Sequence, residues 1–142
     1  MGKNLKKYSS TLANFNNTLN KILTIAEKKE FELSGEVNTD IRWIKTQISF
    51  ARDHLPFNII NRVYPKMYEY KNYIINRNED FFINNKFSKF IKDDHRKEFM
   101  NEFINFLKER FLVLNEAEKE LFWELVLDLL EHCLVYKKLL NE

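Results

Sequence analysis

Two glycines and two prolines in 142 residues leave this chain few places to turn sharply. Antiparallel sheets need a tight turn every few residues, and those turns draw on glycine, asparagine and proline for backbone angles that other residues resist. A chain so poor in breakers runs in long segments, and the helix is the element that satisfies its backbone hydrogen bonds within one segment. Hydrophobic residues at 44% and charged residues at 31% supply both apolar helix faces and solvated ones. The length suits one domain that encloses a core without disulfides or a structural metal. The reading is a single all-α domain over residues 1–142, an irregular helical bundle of five to six helices with a buried C-terminal helix.

The apolar pattern places these helices. Leu5, Tyr8, Leu12, Phe15, Leu19, Ile22 and Ala26 recur at spacings of three and four, the seam of an amphipathic N-terminal helix over residues 1–33. That helix reads as an arm that docks on the bundle or pairs with a second copy, and Asn14, Asn16, Asn17 and Asn20 fall off its seam. Gly35 stops it, and a second helix starts between Asn38 and Asp40 with Ile41, Ile44, Ile48, Ala51 and Leu55 on one side. Pro56 ends that helix. Ile60, Val63, Met67, Tyr70 and Ile74 then keep a stripe past Pro65, which predicts a kinked helix or two short ones in line.

Residues 76–94 read as an irregular connection that packs through its phenylalanines. Asp93-Asp94 starts a helix carrying Met100, Ile104, Leu107 and Phe111 on one face. Asn115 with Glu118 forms a capping box for the last helix, which is apolar around most of its circumference from Leu121 to Leu140. Such helices are buried, so this one is expected at the centre of the core. Glu124, Asp128 and Glu131 interrupt its apolar run, which argues against a membrane span.

Catalytic, cofactor-binding and metal-ligating constellations are not expected. The lone Cys133 has no intramolecular partner and no Cys/His array has zinc spacing, which suits a reducing compartment. His132 precedes Cys133, but helical neighbours point about 100° apart and cannot act on one another. Glu79-Asp80 and Asp93-Asp94-His95 read as helix-start signals in preference to a metal or acid/base cluster. With Gly2 and Gly35 the only glycines, a phosphate-cradling loop has no material. The N-terminal Met-Gly-Lys-Asn-Leu-Lys-Lys lacks an apolar stretch after its charges, so neither targeting segment nor lipid anchor is expected. The reading is a non-enzyme.

Two surfaces remain. Aromatic residues crowd the middle of the chain beyond what one core stripe uses, and Trp43, Tyr64, Tyr68 and Tyr73 are the candidate contacts for protein partners or a second copy. The alternative is a nucleic-acid surface made by Lys86, Lys89, Lys92, Arg96 and Lys97 interleaved with Phe87 and Phe90. A formal net charge of +2 does not single out nucleic acid, and a solvated lysine rim around core phenylalanines is favoured.

Asp40 with Ile44, Pro56, Tyr70 with Ile74, the run Asn78-Glu79-Asp80-Phe81-Phe82-Ile83 and Trp123 with Leu129-Leu130 together make a pattern that spans most of the chain. In these features the sequence resembles uncharacterised all-helical proteins of nucleocytoplasmic large DNA viruses, the giant viruses included. The resemblance implies no catalytic residues and no known ligand. It implies a viral setting, in the virion or in the replication factory of the host cytoplasm. The expected function is that of a viral structural or protein-interaction protein, with a nucleic-acid-binding accessory in viral transcription or genome packaging as the alternative.

Overall fold

The long first helix organises the chain. In the computed structural model, which describes residues 5–84, 105 and 107–141, helix α1 runs Leu5–Ser34, a rod of about 45 Å. It is followed by α2 (Thr39–His54), α3 (Asn58–Glu69), α4 (Lys71–Ile75), α5 (Glu79–Asn84), α6 (residues 107–112) and α7 (Glu116–Leu140). The described residues contain no strand, so the chain is all-α.

Glycine chemistry ends α1 at the expected place. Gly35 takes φ +73°, a left-handed angle that side chains resist, and its N–H donates to the Phe31 carbonyl at 2.8 Å. Asn38 then caps α2 by accepting the Ile41 N–H at 3.0 Å, and Asp40 lies in the first turn where the helix dipole favours a negative charge. So short a connection makes α1 and α2 a helical hairpin. Its interior is Leu23 and Ala26 of α1 against Ile41 and Ile48 of α2.

A second cluster joins Leu12, Phe15 and Ile22 of α1 to Ile60 of α3 and to Leu129, Cys133 and Tyr136 of α7. A third joins Phe111, Leu114 and Trp123, with Ile25, Phe82 and Phe122 packed on it. Helix α1 borders all three, so the N-terminal helix is a central element, and α7 shares the centre with it. The seam offered above for pairing with a second copy is thus packed against α2, α3 and α7. Helix α7 buries Trp123, Leu129, Leu130, Cys133, Tyr136 and Leu139 but leaves Leu121 and Leu140 exposed, so its apolar girth is only partly covered.

Polar side chains explain how α1 faces two neighbours. Thr18 and Asn20 stand two residues apart, hence about 200° apart around the helix. Thr18 donates to the Asp128 carboxylate of α7 at 3.1 Å, and Asn20 donates to the Ser49 hydroxyl of α2 at 3.1 Å. Asn16, fully buried, donates to the carbonyls of Leu12 and Pro56 at 2.9 and 3.1 Å, which ties α1 to the α2–α3 corner. Of the asparagines that fall off the seam, Asn16 is therefore buried and Asn20 half-buried against α2, while Asn14 and Asn17 stay exposed.

Buried Lys29 joins α1 to the start of α7, with its ammonium 2.8 Å from Glu118. Glu118 also completes the capping box, accepting the Asn115 N–H at 2.8 Å while its own N–H donates to the Asn115 side chain at 2.8 Å. A second ion pair, Arg110 with Glu30, holds α6 against α1.

The described residues fall in seven helices where five to six are expected, for two local reasons. Helix α3 continues through Pro65, but the backbone leaves helical geometry at Tyr70 and restarts as α4. The stretch read as irregular after residue 76 contains α5, begun by Asn78, whose side chain accepts the Phe81 N–H at 2.9 Å. Arg77 ahead of it takes φ 50°, the corner that lets α5 turn away from α4.

Two stability predictions follow from this packing. Phe15→Ala removes a ring with no solvent exposure at the junction of α1, α3 and α7. It is expected to cost about 3–5 kcal/mol in urea denaturation, the range for deleting a buried aromatic side chain. Lys29 holds the Glu118 carboxyl below its ordinary value of 4.5, helped by the Asn115 N–H, while Glu118 raises the Lys29 ammonium above 10.5. The pair's stabilisation is therefore present between those ordinary values, lost as pH falls through the lowered Glu118 pKa and lost again as pH rises through the raised Lys29 pKa. Melting temperatures followed by circular dichroism should fall on both sides of that window, and Lys29→Met should flatten both slopes.

Candidate interaction surface

The inward stripe of α2 determines what its outer side presents. Ile41, Ile48 and Ala51 are buried against α1. At 100° per residue, Trp43, Gln47, Phe50 and His54 share a different side, and all four are exposed. Trp43 is 53% and Phe50 54% exposed, values that mark large aromatic rings left at the surface of a helix whose core stripe is already filled. Phe50 rests on the His54 ring with centroids 4.6 Å apart. Seven residues beyond Phe50, Phe57 is exposed as well, beside exposed Leu55. Trp43 and Phe50, seven residues apart, thus share the outer stripe of α2, and Phe57 follows past the helix end at the α2–α3 corner.

The three tyrosines named from sequence have separate surroundings. Tyr64 is half-buried, its ring edge-on to buried Tyr136 at 5.4 Å, and Tyr8 stacks on the same ring at 5.7 Å. Tyr64 is therefore a core contact more than a surface one. The Tyr136 hydroxyl donates to Asn61 of α3, and burial raises the pKa of that phenol. Tyr73 is exposed but stacks flat on Phe81, centroids 3.9 Å apart and planes within 4°, joining α4 to α5. Tyr68 is exposed at the end of α3, with the Lys71 and Lys137 ammonium groups over its ring. Trp43 lies on α2, Tyr64 and Tyr68 on α3, and Tyr73 on α4.

The alternative basic surface, Lys86, Lys89, Lys92, Arg96 and Lys97, lies outside the described residues, as do Phe87, Phe90, Asp93, Asp94 and His95.

Among the described residues, Cys133, His132 and Glu79 have separate surroundings. Cys133 is buried, and loss of hydration pushes its thiol up to about 12, far from a reactive thiolate. His132 turns from it toward Asp128, 3.4 Å away on the same helix. Glu79 lies 3.9 Å from Lys119 of α7, the counter-ion that joins α5 to that helix. Among the described residues no three His, Cys, Asp or Glu side chains are grouped to hold a metal ion. An apolar crevice lined by Ile22, Ala26, Leu107, Phe111 and Phe122 has about 10 Å³ of free volume, room for no more than a water molecule. No helix of the described residues is long and apolar enough to cross a membrane.

The chain matches no known family model, no curated protein and no solved structure.

Phe50 and Phe57 are surface residues that the sequence reading passes over, although the heptad spacing of Phe50 from Trp43 on α2 was a usable signal. Lys137 beside Tyr68 had none, because the two meet only when α7 packs on α3 and α4.

Cys133 offers a direct check of the packing. It should resist a thiol reagent such as dithionitrobenzoate in the native protein and react at once in denaturant; rapid labelling of the folded chain would show that the α1–α7 interior is open.

Proposed function

We propose that this chain is a non-enzymatic interaction protein that binds a protein partner, or a second copy of itself, through the aromatic outer side of α2. The observation that carries this reading is the pair of exposed rings Trp43 and Phe50 on a helix whose inward positions are already used, with exposed Phe57 following at the start of α3. Large aromatic side chains are the commonest anchors of protein interfaces, since they bury much apolar area at little cost in side-chain entropy. Tyr68 and Tyr73, exposed on the α3–α4 side, supply further aromatic area. In this reading the helices form an irregular bundle around α1 and α7, a scaffold that holds the outer helix faces rigid. The setting is that of the large DNA viruses the sequence resembles, as a component of the virion or of the replication factory in the host cytoplasm.

The test changes the surface without touching the core. Phe50→Asp, alone and with Trp43→Asp, should leave helix content unchanged and alter folding stability by no more than about 0.5 kcal/mol per exposed site. Sedimentation of the pure protein over a wide concentration range should detect self-association that both variants abolish. If the native chain is monomeric throughout, a photo-crosslinking amino acid at position 50 should trap a defined partner in infected cells that the same amino acid at exposed Glu116 does not. A strict monomer that crosslinks to nothing at position 50 refutes the reading.

A further inference from the structure

Tyr68 stands where three helices meet. It lies in the last turn of α3, Lys71 opens α4, and Lys137 is in the last turn of α7. The Lys71 ammonium is 4.1 Å and the Lys137 ammonium 3.2 Å from the centroid of the Tyr68 ring. Both distances run to one point, so the two cations lie within about 7 Å of each other, inside the Debye length at physiological salt.

Among the described residues these two lysines lack a counter-ion, unlike Lys66, and their convergence on one ring separates them from other unpaired lysines such as Lys138. Lys29, Lys45, Lys66 and Lys119 each have a carboxylate within ion-pairing distance. Lys71 and Lys137 have none among the described residues. The α7 carbonyl end attracts Lys137, and the face of an aromatic ring attracts an ammonium group. Neither attraction removes the repulsion between two ammonium groups gathered at one exposed ring. The phenol registers the resulting field: hydrogen bonding from Lys71, then from Lys137, draws its pKa below the ordinary 10.0, so negative charge at this point is favoured.

We propose that Tyr68, Lys71 and Lys137 form a binding site for a phosphate group. Two ammonium groups match the charge of a phosphate dianion, and the phenol O–H donates a hydrogen bond to one of its oxygens. A carboxylate ligand would leave one of the two cations uncompensated. The phosphate belongs either to a small phosphorylated molecule or to a polynucleotide backbone. The site is separate from the α2 stripe and does not depend on the interaction reading.

The experiment is a titration of the isotope-labelled full chain with inorganic pyrophosphate at low ionic strength, followed by amide resonances. Saturable shifts are expected around Tyr68, Lys71 and Lys137, with affinity falling as salt is raised. The Lys71→Gln/Lys137→Gln double variant should weaken binding about tenfold or more, in keeping with the loss of charge-assisted hydrogen bonds. Lys66→Gln, which removes a nearby lysine already paired with Glu69, should leave binding unchanged, and Tyr68→Phe should weaken it severalfold. Ultraviolet titration of the phenol adds an independent readout: saturating pyrophosphate should return the Tyr68 pKa toward its ordinary value. A single-stranded oligonucleotide that binds more tightly than pyrophosphate, with the same dependence on Lys71 and Lys137, identifies the source as a polynucleotide; equal affinities identify a small molecule. Absence of saturable binding at low salt, or equal loss in Lys66→Gln and the double variant, overturns the proposal.

Discussion

A helix with one apolar seam needs partners on one side, and α1 has them on two. Its Leu12, Phe15 and Ile22 meet α3 and α7, while Leu23 and Ala26 meet α2. Once both sides are covered, polar residues between them are buried too, and a buried polar group is costly unless it is bonded. The Asn16, Thr18, Asn20 and Lys29 side chains each find a partner on a different part of the chain. Those bonds set rotation and register, which interchangeable apolar contacts specify less sharply. The positions of α2 and α7 are thus written on α1, and α3 and α4 take theirs from α7.

The surface follows from that arrangement. Because α2 spends its Ile41, Ile48 and Ala51 on α1, the rings at 43 and 50 stay outside. Because α7 packs on α3 and α4, Lys137 arrives over Tyr68 beside Lys71. The same packing buries Cys133 and directs His132 to Asp128, so the groups best suited to nucleophilic chemistry are consumed in holding the core.

Much of the fold was legible along the chain. Gly35 as a stop, Asn38 as a cap and the Asn115–Glu118 box act through backbone atoms within a few residues, so local chemistry suffices to read them. The short α5 was legible only as the start signal Glu79-Asp80 inside a stretch read as irregular, and the break expected at Pro65 falls at Tyr70. The candidate surface was less legible. Trp43, Tyr68 and Tyr73 are exposed, yet Tyr64 packs on Tyr136, since neighbouring positions on a helix face differ in whether another helix covers them.

By itself the sequence determined that the chain is helical, where α1, α2 and α7 begin or end, and which apolar stripes seek burial, because those properties arise from backbone geometry and residue spacing. Tertiary structure alone decided that the N-terminal helix lies at the centre, that off-seam Asn16 is fully buried, and that Lys71 and Lys137 converge on one phenol. Periodicity names the face a helix buries but not how many neighbours share it, and a charge acquires its partners only when distant segments meet.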